Sequence, residues 1–118
     1  MLLLLLAACA GAPADTADTA DTAPVDPLCV DAVPLTWENF GEGFLLDACN
    51  GCHAASAPNR YGAPVEVTFD TRAQAWAFAD RILARATGDA PGMPPQGGVT
   101  EDDRTRLYWW LGCGEPGT

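Results

Sequence analysis

Two thiols three positions apart, followed at once by an imidazole, make Cys49-Asn50-Gly51-Cys52-His53 the stretch of this chain best equipped for chemistry. Set on the last turn of a helix and the bend after it, the two sulfurs can bond the two vinyl groups of a porphyrin while the adjacent imidazole ligates the iron. That is the spacing of c-type haem attachment. His53 is the single histidine and Met93 the single methionine beyond Met1, so elimination leaves these two as the iron's axial ligands. A structural zinc site would need two further Cys or His ligands at finger-like spacing, and the chain does not supply them. A thioredoxin-like dithiol belongs in a βαβ setting, whereas the flanks here read as helix and loop.

The elements that must position these groups follow from caps and periodicity. Thr36 is suited to cap a helix from Trp37 to about Cys49, with Trp37, Phe40, Phe44 and Ala48 along one side. Gly41 and Gly43 interrupt it at about 1 kcal/mol each, which calls for close approach by another element. A loop from Ala54 to Pro64 follows, then a short segment, Val65 to Phe69, that reads as extended. Thr71 and Gln74 form a capping box for a second helix, with Trp76, Ala79, Leu83 and Ala86 at helical spacing and Gly88 as its stop. Met93-Pro94-Pro95 lies in a second loop, where two prolines stiffen the backbone beside the thioether. Thr100 caps a last helix whose first turn carries Glu101, Asp102 and Asp103. It ends near Gly112, with Leu107, Trp110 and Leu111 as its apolar stripe.

The ends read differently. Residues 1–8 are an apolar run too short to span a bilayer and placed like an export signal. Leu6-Ala7-Ala8-Cys9 resembles the lipobox of bacterial lipoproteins, which makes Cys9 the expected acylated first residue of the mature chain. Residues 9–27 form an Ala/Asp/Thr/Pro linker with Ala-Asp-Thr repeated three times, too poor in large apolar side chains to fold. Drawn as a coil, it reaches roughly 25 Å from its anchor. The 16 acidic residues against 6 arginines leave a formal charge of −10 and argue against a nucleic-acid partner.

From about residue 28 to residue 116 the chain resembles a class I cytochrome c, on three features: the Cys49–His53 motif, Met93-Pro94-Pro95 downstream, and a terminal helix bearing Leu107-Tyr108-Trp109-Trp110-Leu111. The resemblance implies an all-α fold of about three main helices and irregular loops wrapped around one covalently attached haem c. Gly41 stands where that family lets its first and last helices cross closely, with Leu107 and Trp110 at the partner positions. By the same analogy the Pro64 carbonyl accepts the Nδ1 hydrogen of His53, and Arg60 and Trp76 hydrogen-bond the haem propionates. Cys29 and Cys113, left over at the two ends of the domain, are expected to pair, because the resemblance brings those ends together and an exported protein favours disulfides.

These readings describe a membrane-tethered monohaem carrier of single electrons between extracytoplasmic redox proteins. It would be lipid-anchored in the bacterial cell envelope, facing the periplasm or the exterior. With both axial positions filled it is not expected to be an enzyme by itself, though it could serve one as its electron-transfer subunit. The alternative is a haem-based module that binds or senses a small ligand by displacing Met93. A structural lipoprotein with zinc or a disulfide at Cys49 and Cys52 is a third reading and predicts no haem.

Overall fold

The computed structural model of the chain describes residue 11 and residues 23–114. The run at 1–8, Cys9 and all of the linker except Gly11 and residues 23–27 lie outside the described residues.

Thr36 caps as its residue type dictates. Its hydroxyl accepts from the Asn39 N–H at 3.1 Å, and the Asn39 side chain accepts from the Thr36 N–H at 2.7 Å, closing a capping box. A π-helical turn, Trp37–Gly41, then runs directly into α1 (Glu42–Ala48). Cys49 leaves helical geometry at φ −123°, and α2 (Asn50–His53) follows at once. Thr71 and Gln74 form the second capping box and open α3 (Arg72–Ala77), which breaks at Phe78 (φ −109°, ψ 13°) before α4 (Ala79–Ala86). Thr100 accepts from the Asp103 N–H and opens α5 (Glu101–Tyr108), extended by a second π turn, Trp109–Cys113. Three acidic side chains in the first turn of α5 match the positive end of its dipole.

The fold is helical, and the described residues contain no strand. The expectation of about three main helices is corrected to five, because Phe78 divides what the sequence pattern reads as one helix and the chain turns helical again after Cys49, where the first helix was expected to end. The segment 65–69, expected to be extended, opens with a turn. Val67 N–H turns back onto the Pro64 carbonyl at 3.0 Å. Ala75, Ile82 and Ala86 are buried while Trp76, Ala79 and Leu83 are only half-buried. No helix among the described residues is long and apolar enough to cross a membrane.

Leu45, Leu107 and Trp110 are fully buried, each contributing about 1.5–3 kcal/mol by leaving water. Trp110 is the centre of an aromatic cluster, its ring 6.2 Å from Trp37 and Phe40 and 6.1 Å from Trp76. Gly41 makes this approach possible, since a Cβ there would lie 2.8 Å or less from three atoms of the Trp110 ring. Gly43 has no such reason, because a Cβ there would meet nothing within 4 Å.

Three contacts fasten residues 26–29 to the end of the last helix. Cys29 and Cys113 are disulfide-bonded with Cα atoms 5.6 Å apart, Trp109 Nε1–H donates to the Leu28 carbonyl at 2.9 Å, and the Tyr108 hydroxyl donates to the Asp26 carboxylate. That last bond lowers the Asp26 pKa and raises that of Tyr108. Closing 84 positions of chain, the disulfide stabilises by about 4 to 5 kcal/mol in the chain-entropy model.

Candidate functional site

The segment after the first loop is what holds the motif in place. Residues 67–70 lie along residues 50–55, joined by four hydrogen bonds. Asn50 Nδ2 donates to the Phe69 carbonyl at 3.3 Å, Phe69 N–H to the His53 carbonyl at 3.1 Å, and Ala55 N–H to the Asp70 carboxylate at 2.8 Å. The fourth is the His53 Nδ1 contact to the Val67 carbonyl at 3.1 Å. A carbonyl can only accept, so this bond places the hydrogen on Nδ1 and leaves the Nε2 lone pair available to a metal. The Phe69 ring stacks on the imidazole with centroids 4.7 Å apart, which fixes the ring plane as well.

The carbonyl that orients His53 therefore belongs to Val67, and the Pro64 assignment is corrected. The Pro64 carbonyl is occupied by the Val67 N–H and by Arg60 Nη2 at 2.7 Å. Arg60 is engaged mainly with the loop itself. Its guanidinium donates to the carbonyls of Ala54 (2.7 Å), Ala63 (3.2 Å), Pro64 and Val67 (2.9 Å), so four of its five donors hold the loop and are not free for a carboxylate. A loop without regular structure leaves carbonyls unpaired, and a planar fork of donors is the side chain that can gather them. Val67 O thus serves His53 and Arg60 together.

Cys49, Cys52, His53 and Met93 all line one cavity of about 750 Å³, within the range of about 300–1,000 Å³ typical of pockets that enclose a cofactor-sized ligand. Its walls are mostly apolar, with Phe44, Val67, Phe69, Phe78 and Ile82 among them; Arg60 and Pro64 also line it. Trp76 does not. Its ring packs edge-on against Trp110, and its buried Nε1–H has no hydrogen-bond partner among the described residues.

Cys49 and Cys52 are both free thiols, half-buried. Burial, with Cys52 beside it, pushes the Cys49 thiol up to about 12, so it stays protonated at neutral pH. A thiol that stays protonated is poorly suited to holding a bare cation. Among the described residues no group of three or more His, Cys, Asp or Glu side chains is placed to hold a metal ion by itself. The donor set fits a haem in its place: two thiols for the vinyl groups, an imidazole nitrogen with its tautomer set, a thioether on the same cavity, and an apolar lining.

Met93 reaches the cavity from the loop between α4 and α5 and is 37 % exposed. Its N–H donates to the Arg85 carbonyl at 2.9 Å, beside the Gly92 N–H on the same oxygen at 2.8 Å. Sequence reasoning missed Val67, Phe69 and Arg104 as parts of this site. The signal for the first two was the spacing of Val67 and Phe69, two positions apart, which the extended reading of that segment did not connect to His53. Comparison with protein-family models, with curated proteins and with solved structures finds no match to this chain.

Proposed function

We propose that this chain is a monohaem c-type electron carrier, exported and held at a membrane through a lipid on Cys9. The observation that carries the reading is the convergence of Cys49, Cys52, His53 and Met93 on one apolar cavity of cofactor size. A haem bound there supplies a one-electron couple between ferrous and ferric iron. Cys49 and Cys52 anchor the group by thioether bonds. Val67 O and Phe69 hold the imidazole of His53 in a fixed tautomer and plane, with Nε2 the atom that would ligate the iron. Met93 offers a soft neutral sulfur, which favours the ferrous state and raises the potential relative to a second imidazole. The apolar walls would limit water around the group, and with His53 and Met93 both holding it the chain would pass electrons without transforming a substrate. Its partners are extracytoplasmic redox proteins, reached on a tether of roughly 25 Å.

In a second reading, Met93 stands on a loop without regular structure, a small ligand displaces its thioether, and the module senses that ligand. Visible spectroscopy of the ferric protein separates the two. A carrier shows the weak band near the red edge that marks a methionine-to-iron bond and keeps it under nitric oxide at micromolar concentration. Loss of the band under those conditions would favour the sensor.

A further inference from the structure

Arg104 is the buried charged side chain of the described residues, 8 % exposed, and it extends from α5 toward the loop that carries Met93. Its Nη1 donates two hydrogen bonds, to the Ala86 carbonyl at 2.7 Å and to the Met93 carbonyl at 2.9 Å. Ala86 is the last residue of α4, so one nitrogen links α5, the end of α4 and the Met93 backbone. The other side of that backbone is also held, because the Arg85 carbonyl accepts from both Gly92 and Met93 N–H groups. Burying a guanidinium is costly unless its hydrogen bonds are made, and here they go to carbonyls rather than to a carboxylate, with no ion pair to Arg104 among the described residues. What the arrangement yields is geometry. Met93 sits in a loop with no regular structure, with glycines at positive φ before it at Gly88 (84°) and after it at Gly97 (71°) and Gly98 (88°). Without a clamp such a loop has many conformations in which the sulfur leaves the cavity.

We propose that Arg104 is a positioning residue for Met93, holding the thioether at the cavity and so setting how easily another ligand replaces it. This rests on the reading of Met93 as an axial ligand. Charge-assisted hydrogen bonds of this kind are roughly twice as strong as neutral ones, and losing both shifts the loop toward conformations in which the sulfur is away from the metal.

The test uses the full haem-loaded protein and its Arg104→Gln and Arg104→Lys variants, with Leu111→Ala as a control that weakens the core away from the cavity. Three readouts are taken: the ferric methionine band, the reduction potential, and binding of imidazole to the ferric form. The expected result for Arg104→Gln is loss of most of the band, a lower potential, and apparent imidazole affinity raised about tenfold or more. Arg104→Lys, which keeps the charge at shorter reach, is expected to fall between it and the wild type. Leu111→Ala is expected to lose stability and keep all three. Arg104 variants that keep band, potential and affinity overturn the proposal, as does a Leu111→Ala variant that shifts them equally. Failure of both Arg104 variants to accumulate would also count against a role confined to positioning. A wild-type protein with no methionine band refutes the ligand reading itself, which is a different failure.

Discussion

Replacing Gly41 and Gly43 separately by alanine should move stability in opposite directions, although the two glycines sit two residues apart on the same helical run. In an open helix either change gains about 1 kcal/mol from propensity and lost chain entropy. At Gly41 the new Cβ would stand 2.5 Å from Trp110 Cη2 and 2.8 Å from Cε2, where contacts under 3.0 Å are essentially never found. The indole cannot yield cheaply, because it is fully buried and wedged against Trp37, Phe40 and Trp76. Relief requires the helices to part, at the upper end of the usual overpacking cost of about 1–3 kcal/mol. Set against the propensity gain, Gly41→Ala should lose about 2 kcal/mol, while Gly43→Ala, with nothing within 4 Å, should gain up to about 1 kcal/mol. Denaturant titration of the three proteins at constant slope reads both changes. In thermal melts, the Gly41 loss corresponds to about 8–16 °C for a domain of this size. Changes of the same sign, or a Gly41→Ala loss under about 0.5 kcal/mol, would refute the close packing of the first and last helices at this point.

Other perturbations separate the remaining parts of the account. Met93→Ala should leave haem attached through Cys49 and Cys52 while abolishing the ferric methionine band and lowering the reduction potential, as voltammetry would show. Replacing Cys29 and Cys113 by serine should lower the denaturation midpoint by up to about 4 to 5 kcal/mol equivalent, and alkylation of the unreduced, unfolded wild type should leave both residues unlabelled. The Tyr108–Asp26 bond should contribute only within a pH window. Asp26 has a lowered folded pKa, so its contribution is present above the unfolded value of 3.8 and is lost as pH falls through the folded one. Tyr108 has a raised pKa, so its contribution is present below 10.0 and is lost as pH rises through the folded value; Tyr108→Phe should flatten both flanks of the stability–pH profile.

The helix starts were legible because each is written in a few adjacent residues. Thr36, Thr71 with Gln74, and Thr100 cap where side-chain chemistry alone places them. The apolar stripe of Leu107, Trp110 and Leu111, the Gly41 approach and the Cys29–Cys113 bond could also be anticipated from the chain and its resemblance. The break at Phe78 could not, since that position carries neither proline nor glycine. Phe78 lies on the cavity wall and packs edge-on against Phe69 at 6.0 Å, a contact between residues in different segments that local pattern does not encode. Arg60 shows the same limit from the polar side. Its type suits a carboxylate or a set of carbonyls equally, and only the folding of the loop from Ala54 to Val67 decides for the carbonyls.

Covalent attachment of haem is the most direct test of the account. The protein would be produced in a host with machinery for c-type haem attachment, extracted with acidified acetone, and weighed intact by mass spectrometry beside a variant carrying Cys49→Ser and Cys52→Ser. The account predicts a polypeptide that keeps the mass of one haem through extraction, and a variant that does not. A wild-type chain that releases all of its haem into the acetone, or that never acquires any, would contradict it.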